Sequence, residues 1–158
     1  MNSKQEKDLR RRVNELLASQ TLAVLATHNT GEPYANLIAF APFADLSHLL
    51  FATTRSTRKF HNLQADPRVA LLIDNRTNKE TDFHEAAAVT ALGRAIEVTE
   101  SERQELEGIY LARHPYLADF LKAPSTALFK VTINCFIMVS RFQKVMELRM
   151  NDETYLSS

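Results

Sequence analysis

The segment Thr53-Thr54-Arg55-Ser56-Thr57-Arg58-Lys59 concentrates hydroxyl and cationic side chains where a strand gives way to a helix. Ser56 or Thr57 suits the N-cap, because a short hydroxyl side chain accepts a backbone N–H left free at a helix start. Arg58 and Lys59 then fall in the first helical turn. The macrodipole is positive there, so each cation costs roughly 0.3–1 kcal/mol, and a helix selected for stability alone carries Asp or Glu instead. Free N–H groups, hydroxyls and two cations converging on one helix start form the donor set for a phosphate. A solvated basic turn is the other reading of the same residues, since charge runs are commonly hydrated faces.

The other reactive residue types form no comparable set. Histidines at positions 28, 48, 61, 84 and 114 show neither H-x-x-H nor H-E-x-x-H spacing, and the single Cys135 permits no internal disulfide or thiolate-rich zinc site. No metal is expected. Cys135 reads as a buried, inert thiol, His61 as a helix-surface residue and His84 as a loop residue. No G-x-S-x-G elbow supports a hydrolase. Tyr34, Phe40, Phe43 and Phe51 lack an accompanying basic stripe and read as core rather than as a base-stacking platform. The 19 basic residues balance the 19 acidic ones, so no global field attracts nucleic acid or an anionic membrane. Only three glycines occur, Gly31, Gly93 and Gly108, too dispersed for a G-x-G-x-x-G turn or a P-loop. A phosphorylated cofactor would have to be met by a helix start instead.

The elements that must position this segment follow from the hydrophobic pattern. Leu9, Val13, Leu16 and Leu17 share one face of a helix over residues 4–19, with Ser3 and Glu6 as a capping box. TLAVLAT, YANLIAF, HLLFATT and RVALLID read as four strands. The first two are joined by a hairpin turn around Gly31. The stretch RSTRKFHNLQADP is helical up to Asp66-Pro67. Residues 75–85 read as a mobile polar loop, 86–98 as a strand with a bulge or close approach at Gly93, and 99–112 as a helix opened by a Thr99–Glu102 box. A short helix over 116–122 precedes a last strand in which Phe129, Val131, Ile133, Cys135 and Ile137 alternate with polar residues. With 45% hydrophobic and 24% charged residues, the chain suits one α+β domain over 1–150 and a polar tail over 151–158. No apolar run is long enough to span a bilayer and no signal-peptide pattern opens the chain, so no membrane partner and a cytoplasmic location are expected.

The order LAVLAT, TGEPYANLIAF, LLFATTRSTRKFHNLQADPRVALLID resembles the FMN-binding split-barrel family typified by pyridoxamine 5′-phosphate oxidase. The string Thr53…Thr57-Arg58-Lys59…Asp66-Pro67-Arg68-Val69 is its most specific part, and AVTALGRAIEV continues it, with Gly93 at the family's strand glycine. The resemblance implies a six-stranded antiparallel split β-barrel of Greek-key order with flanking helices, and FMN held at a homodimer interface. It places Arg58 and Lys59 on the phosphate-binding pair, with Thr57 on the hydroxyl beside them. Thr53 and Thr54 fall near the flavin ring and ribityl chain, and Leu37, Ile38 and Ala39 on the strand running along the isoalloxazine. Asn36 stands where the oxidase has a further phosphate-binding arginine, Ala41 where it has a substrate-contacting lysine, and Ala88 where it has a flavin-contacting glutamine. The oxidase's C-terminal Trp and Arg residues have no counterpart, and the chain contains no tryptophan. The resemblance therefore implies a flavin-dependent oxidoreductase with an undetermined small-molecule substrate and electron donor, distinct from a true pyridoxamine phosphate oxidase. The alternative is a flavin- or haem-binding module without redox turnover, because RHPYLADF resembles a segment of haem-degrading relatives, although Ser140-Arg141-Phe142 replaces their glycine-rich strand end.

Overall fold

The computed structural model describes residues 1–141 and 143–151. All but Asn151 of the expected tail, and Phe142 of the Ser140–Phe142 segment, lie outside the described residues. The chain opens with α1 (Ser3–Ser19), β1 (Leu22–Asn29), β2 (Glu32–Pro42), β3 (His48–Thr54), α2 (Arg58–Ala65) and β4 (Arg68–Asp74). It continues with α3 (Asp82–Glu85), β5 (Ala87–Glu97), α4 (Glu100–Arg113), a 3-10 turn (Pro115–Leu117), α5 (Ala118–Lys122), β6 (Thr126–Ser140) and β7 (Lys144–Arg149).

Thr30 and Gly31 join β1 to β2, both at positive φ (49° and 82°), the backbone of the two-residue turn that matches strand twist. β2 hands on to β3, and β4 returns beside β1, which gives the Greek-key order 4-1-2-3. The strands run β3-β2-β1-β4-β5-β6 and close through a β3–β6 pairing, so six antiparallel strands form the expected barrel. β7 is a seventh strand that the alternation did not reveal. β6 explains how it fits: its first half pairs with β3 up to Thr132, and its second half, from Cys135, pairs with β7. The ladder with β5 slips at Leu92/Gly93. A Cβ on Gly93 would collide with the Thr132 carbonyl oxygen, so only glycine allows the close approach.

β3 reads as a continuous apolar run because it is buried on both faces. Leu49 and Phe51 join the barrel core with Leu9, Val13, Leu16 and Leu17 of α1. Leu50 and Ala52 face a second cluster with Leu106 and Tyr110 of α4 and Leu121 of α5. Among the described residues, no helix is long and apolar enough to cross a membrane.

Three local expectations are corrected. Asn2, not Ser3, caps α1: its side chain accepts from Gln5 N at 2.9 Å while Gln5 Oε1 accepts from Asn2 N at 3.0 Å. Asn competes as well as Ser for that position, and the register slips by one. Thr99 makes no side-chain cap: its hydroxyl bonds Ser101 Oγ at 3.1 Å and donates to Glu102 Oε2 at 3.5 Å, while Glu102 Oε1 pairs with Lys130 at 2.8 Å. The 75–85 loop is tied together by Asp82, whose carboxylate accepts from Thr77 N (2.9 Å), Thr77 Oγ1 (2.8 Å) and Asn78 N (2.7 Å).

Candidate functional site

β2 and β3 pair only where Phe40–Pro42 meets Leu49–Phe51. Beyond that point they diverge, and β3 stays with β6 as far as Thr54 opposite Thr126. The β2 edge from residue 39 back to 35 therefore has no neighbouring strand on that side. Phe40 N donates to Thr21 O, so by antiparallel alternation the backbone groups of Ala35, Leu37 and Ala39 point towards the opening. The Ala39 carbonyl accepts from Tyr110 Oη at 3.2 Å; burial pushes the Tyr110 phenol up to about 12 and keeps it a donor. The opening thus presents strand amides, and the start of α2 stands at its mouth.

At that start, Thr57 is the N-cap, and its hydroxyl accepts from Phe60 N at 3.3 Å and donates to Thr54 O at 2.9 Å. Thr53, buried beneath it, bonds the same hydroxyl at 2.9 Å. Both threonines therefore hold the turn rigid, while the N–H groups of Arg58 and Lys59 begin the helix without an intrahelical acceptor. No acidic residue occupies the first turn. Arg55 is drawn aside by an ion pair with Glu97 and lies over the Phe60 ring. Arg58 and Lys59 have no carboxylate partner among the described residues. The Arg58 guanidinium lies 5.4 Å from the centre of the Tyr34 ring. Lys59 is half-buried, and the loss of water around its ammonium holds its pKa below the ordinary lysine range. An unpaired, partly desolvated cation at an acid-free helix start can take an anion.

The remaining expected residues divide by strand face. Asn36 and Ile38 project towards the barrel interior. Asn36 Oδ1 is buried without a donor, and its Nδ2 reaches only the Leu37 carbonyl at 3.3 Å. Leu37 and Ala39 project outward, and Leu37 is 65% exposed. Leu37 and Leu72 lie on either side of Val24, with Leu22 opposite Ala39, so the outer surface of β2, β1 and β4 carries an exposed apolar row. Thr54 is half-buried at the end of β3. Tyr34, read as core, is exposed against Arg58; its position at a strand end next to the hairpin turn was the available signal.

The other histidines are committed elsewhere: His28 Nε2 lies 3.1 Å from Asp66, His48 Nδ1 2.8 Å from Ser47 Oγ, and His114 Nε2 2.6 Å from Phe40 O. Among the described residues, no group of three or more His, Cys, Asp or Glu side chains could hold a metal. Cys135 is buried, and desolvation raises its thiol pKa.

Residues 9–139 match the model of the pyridoxamine 5′-phosphate oxidase family. No curated protein matches the sequence. Among solved structures, a heme binding protein from Mycobacterium smegmatis superposes with a TM-score of 0.77 at 17% identity, over 86% of this chain. This chain spans only 55% of that protein's length. ChuZ from Campylobacter jejuni gives 0.78 at 14% identity, over 95% of this chain and 67% of its own. An FAD-binding protein from Mesorhizobium loti gives 0.65 at 19% identity, over 81% and 90% respectively. At these identities the likeness concerns the fold.

Proposed function

Because the chain belongs to the pyridoxamine 5′-phosphate oxidase family, we propose that it is a flavoprotein whose α2 start holds the flavin's phosphate and whose open β2 edge holds the ring. The observation that carries this reading is the unpaired Arg58–Lys59 couple on an acid-free helix start, set at the opening between β2 and β3. FMN is the smallest flavin with the phosphate this site needs. Arg58, Lys59 and the first N–H groups of α2 meet the phosphate, with the turn fixed by Thr53 and Thr57 and flanked by Thr54. Backbone groups of Leu37 and Ala39 face the ring's donors and acceptors across the opening. Ile38 fills the wall behind, and Asn36 stands beside it on the same interior-facing side of β2.

When bound, the flavin supplies the electron and hydride chemistry, and the protein supplies placement and electrostatics. No side chain near the opening is needed as acid or base, and the reading is an oxidoreductase with a small-molecule substrate. The exposed row of Leu22, Leu37 and Leu72 supports a homodimer whose second copy covers the outer side of β2, since contiguous exposed apolar surface marks an interaction face. Ala88 lies within β5 between Asp74 of β4 and Val139 of β6, and its methyl side chain makes no polar contact to a flavin; Ala41 is buried, and the lysine missing there supports a substrate other than pyridoxamine phosphate.

The test is a visible-absorbance titration of the purified chain with FMN, followed by anaerobic addition of NAD(P)H. Shifted flavin bands that then bleach support the oxidoreductase reading. Shifted bands without bleaching favour the binding-module alternative. A haem module is the second reading, favoured by the likeness to a heme binding protein. His84, exposed on α3, is its candidate axial ligand, and a Soret band lost in His84→Ala is its signature.

A further inference from the structure

In α4, Glu100, Arg103, Gln104 and Glu107 recur at i, i+3, i+4 and i+7, so they share one side of the helix over two turns. A helix face turned towards other elements is ordinarily apolar. This one is polar and borders an open cavity of about 540 Å³, whose other walls include Arg55, Lys122, Pro124 and the buried Thr126. The volume lies within the roughly 300–1,000 Å³ of small-molecule sites. None of the residues assigned above to the flavin's phosphate or ring lines it. We infer that this cavity binds a free α-amino acid, its carboxylate met by Lys122 and Arg103 and its ammonium by Glu100. The site is independent of the flavin reading above.

The pairing of charges around the cavity selects this occupant. Arg103 Nε donates to Glu107 Oε1 at 2.7 Å and Nη2 donates to the Leu121 carbonyl at 2.9 Å, which fixes the guanidinium and leaves Nη1 uncommitted. Arg55 pairs with Glu97. Lys122 and Glu100 line the same cavity, yet neither has a partner among the described residues and they do not pair with each other. Arg103 bonds the residue before Lys122, so the two cations are neighbours, and Glu100 lies one helical turn before Arg103. Opposite charges at that separation suit a molecule whose ammonium and carboxylate flank a single carbon. The Thr126 hydroxyl is also buried without a hydrogen-bond partner, an arrangement that costs stability until a polar group meets it. A bare anion would be repelled by Glu100 and Glu107, and a bare amine by Arg55, Arg103 and Lys122. No aromatic side chain lines the cavity among the described residues, so a nucleobase finds no stacking face. A zwitterion answers both unpaired charges, and Gln104 beside them is left for the ligand's side chain.

Calorimetric titration of the purified chain with a panel of the proteinogenic L-amino acids tests the inference. At least one is expected to bind saturably, with a Kd between about 10 μM and 1 mM. Its α-amide and its N-acetyl derivative each lack one charge and are expected to bind about fivefold more weakly, the loss of one exposed ion pair. Lys122→Gln and Glu100→Gln, each folded by circular dichroism, are expected to lose the same factor for the free amino acid. Against the N-acetyl derivative, Glu100→Gln should cost nothing further, because the ammonium it would meet is already gone. Absence of binding by every amino acid up to about 10 mM overturns the inference. Affinity unchanged in both variants, or an amide and an N-acetyl derivative that bind as tightly as the free amino acid, overturns it as well. None of these results bears on whether FMN binds at Arg58 and Lys59.

Discussion

Replacing Arg58 and Lys59 together by alanine separates a phosphate site from a hydrated basic turn. In the ligand-free protein both cations oppose the dipole of α2 without a carboxylate nearby. Their removal should therefore stabilise the free protein slightly, by about 0.3–1 kcal/mol each. With a flavin bound, each side chain donates to a charged acceptor, an interaction of about 1.5–3 kcal/mol. Arg58 is exposed and Lys59 half-buried, so the low end applies, and the pair is worth roughly 3 kcal/mol, or about a hundredfold in Kd. Urea denaturation with and without saturating FMN reads both quantities. The expected result is a higher midpoint for the free variant than for the unaltered protein, together with loss of most of the FMN-induced increase. Riboflavin, which lacks the phosphate, should bind the two proteins alike. A variant that keeps its FMN affinity while gaining stability would refute the phosphate assignment in favour of the hydrated turn.

Further outcomes follow from the same geometry. Leu37→Lys with Leu72→Lys should convert a dimer into a monomer in sedimentation equilibrium without lowering the free chain's secondary-structure content; a dimer that persists locates the interface elsewhere. Gly93→Ala should lower stability by about 1–3 kcal/mol in chemical denaturation, because its methyl meets the Thr132 backbone rather than a side chain that can move. An unchanged midpoint would show that the bulge can shift. Lys59 gives a pH signature. Its ammonium is disfavoured by burial, so the unfolded chain holds that proton to higher pH than the folded one. Stability of the free protein should therefore rise as pH climbs through the window just below the ordinary lysine range, while FMN affinity falls across the same window. Lys59→Arg should flatten both profiles.

Much of the frame was legible because its signals are local. His48–Thr54 and Arg68–Asp74 form strands over the expected residues, since each is a compact apolar run bounded by turn or helix-start chemistry. The Thr57 cap and Gly93 bulge were readable for the same reason: hydroxyl capping and the absence of a Cβ are properties of single residues. β7 was not legible. Lys144–Arg149 is short, half-exposed and lies on the one flank of β6 that β3 leaves free, so its pairing depends on where β6 parts from β3. The capping assignments erred where two short polar residues compete, as Asn2 and Ser3 do, or where the hydroxyl finds side-chain partners instead of a backbone N–H, as Thr99 does with Ser101 and Glu102.

At the candidate site, the cations were legible because they violate the charge preference of a helix start. Their freedom from counter-ions was not, because it depends on Glu97, a residue far along the chain that takes Arg55 and leaves Arg58 and Lys59 alone. The position of Tyr34 beneath Arg58 likewise depends on how the hairpin folds against α2. The apolar row on the outer sheet face was concealed by register: Leu22, Leu37 and Leu72 each look like core residues until pairing puts them on the side opposite Leu25, Ile38 and Leu71.

The most direct test of the central claim is a titration of the unaltered, purified chain with FMN, monitored by quenching of flavin fluorescence. The account predicts saturable binding in the micromolar range or tighter, weakened strongly when inorganic phosphate competes and nearly absent for riboflavin. Riboflavin and FMN binding with equal affinity, or neither binding to the folded chain, would contradict the assignment of the Arg58–Lys59 helix start as a flavin-phosphate site.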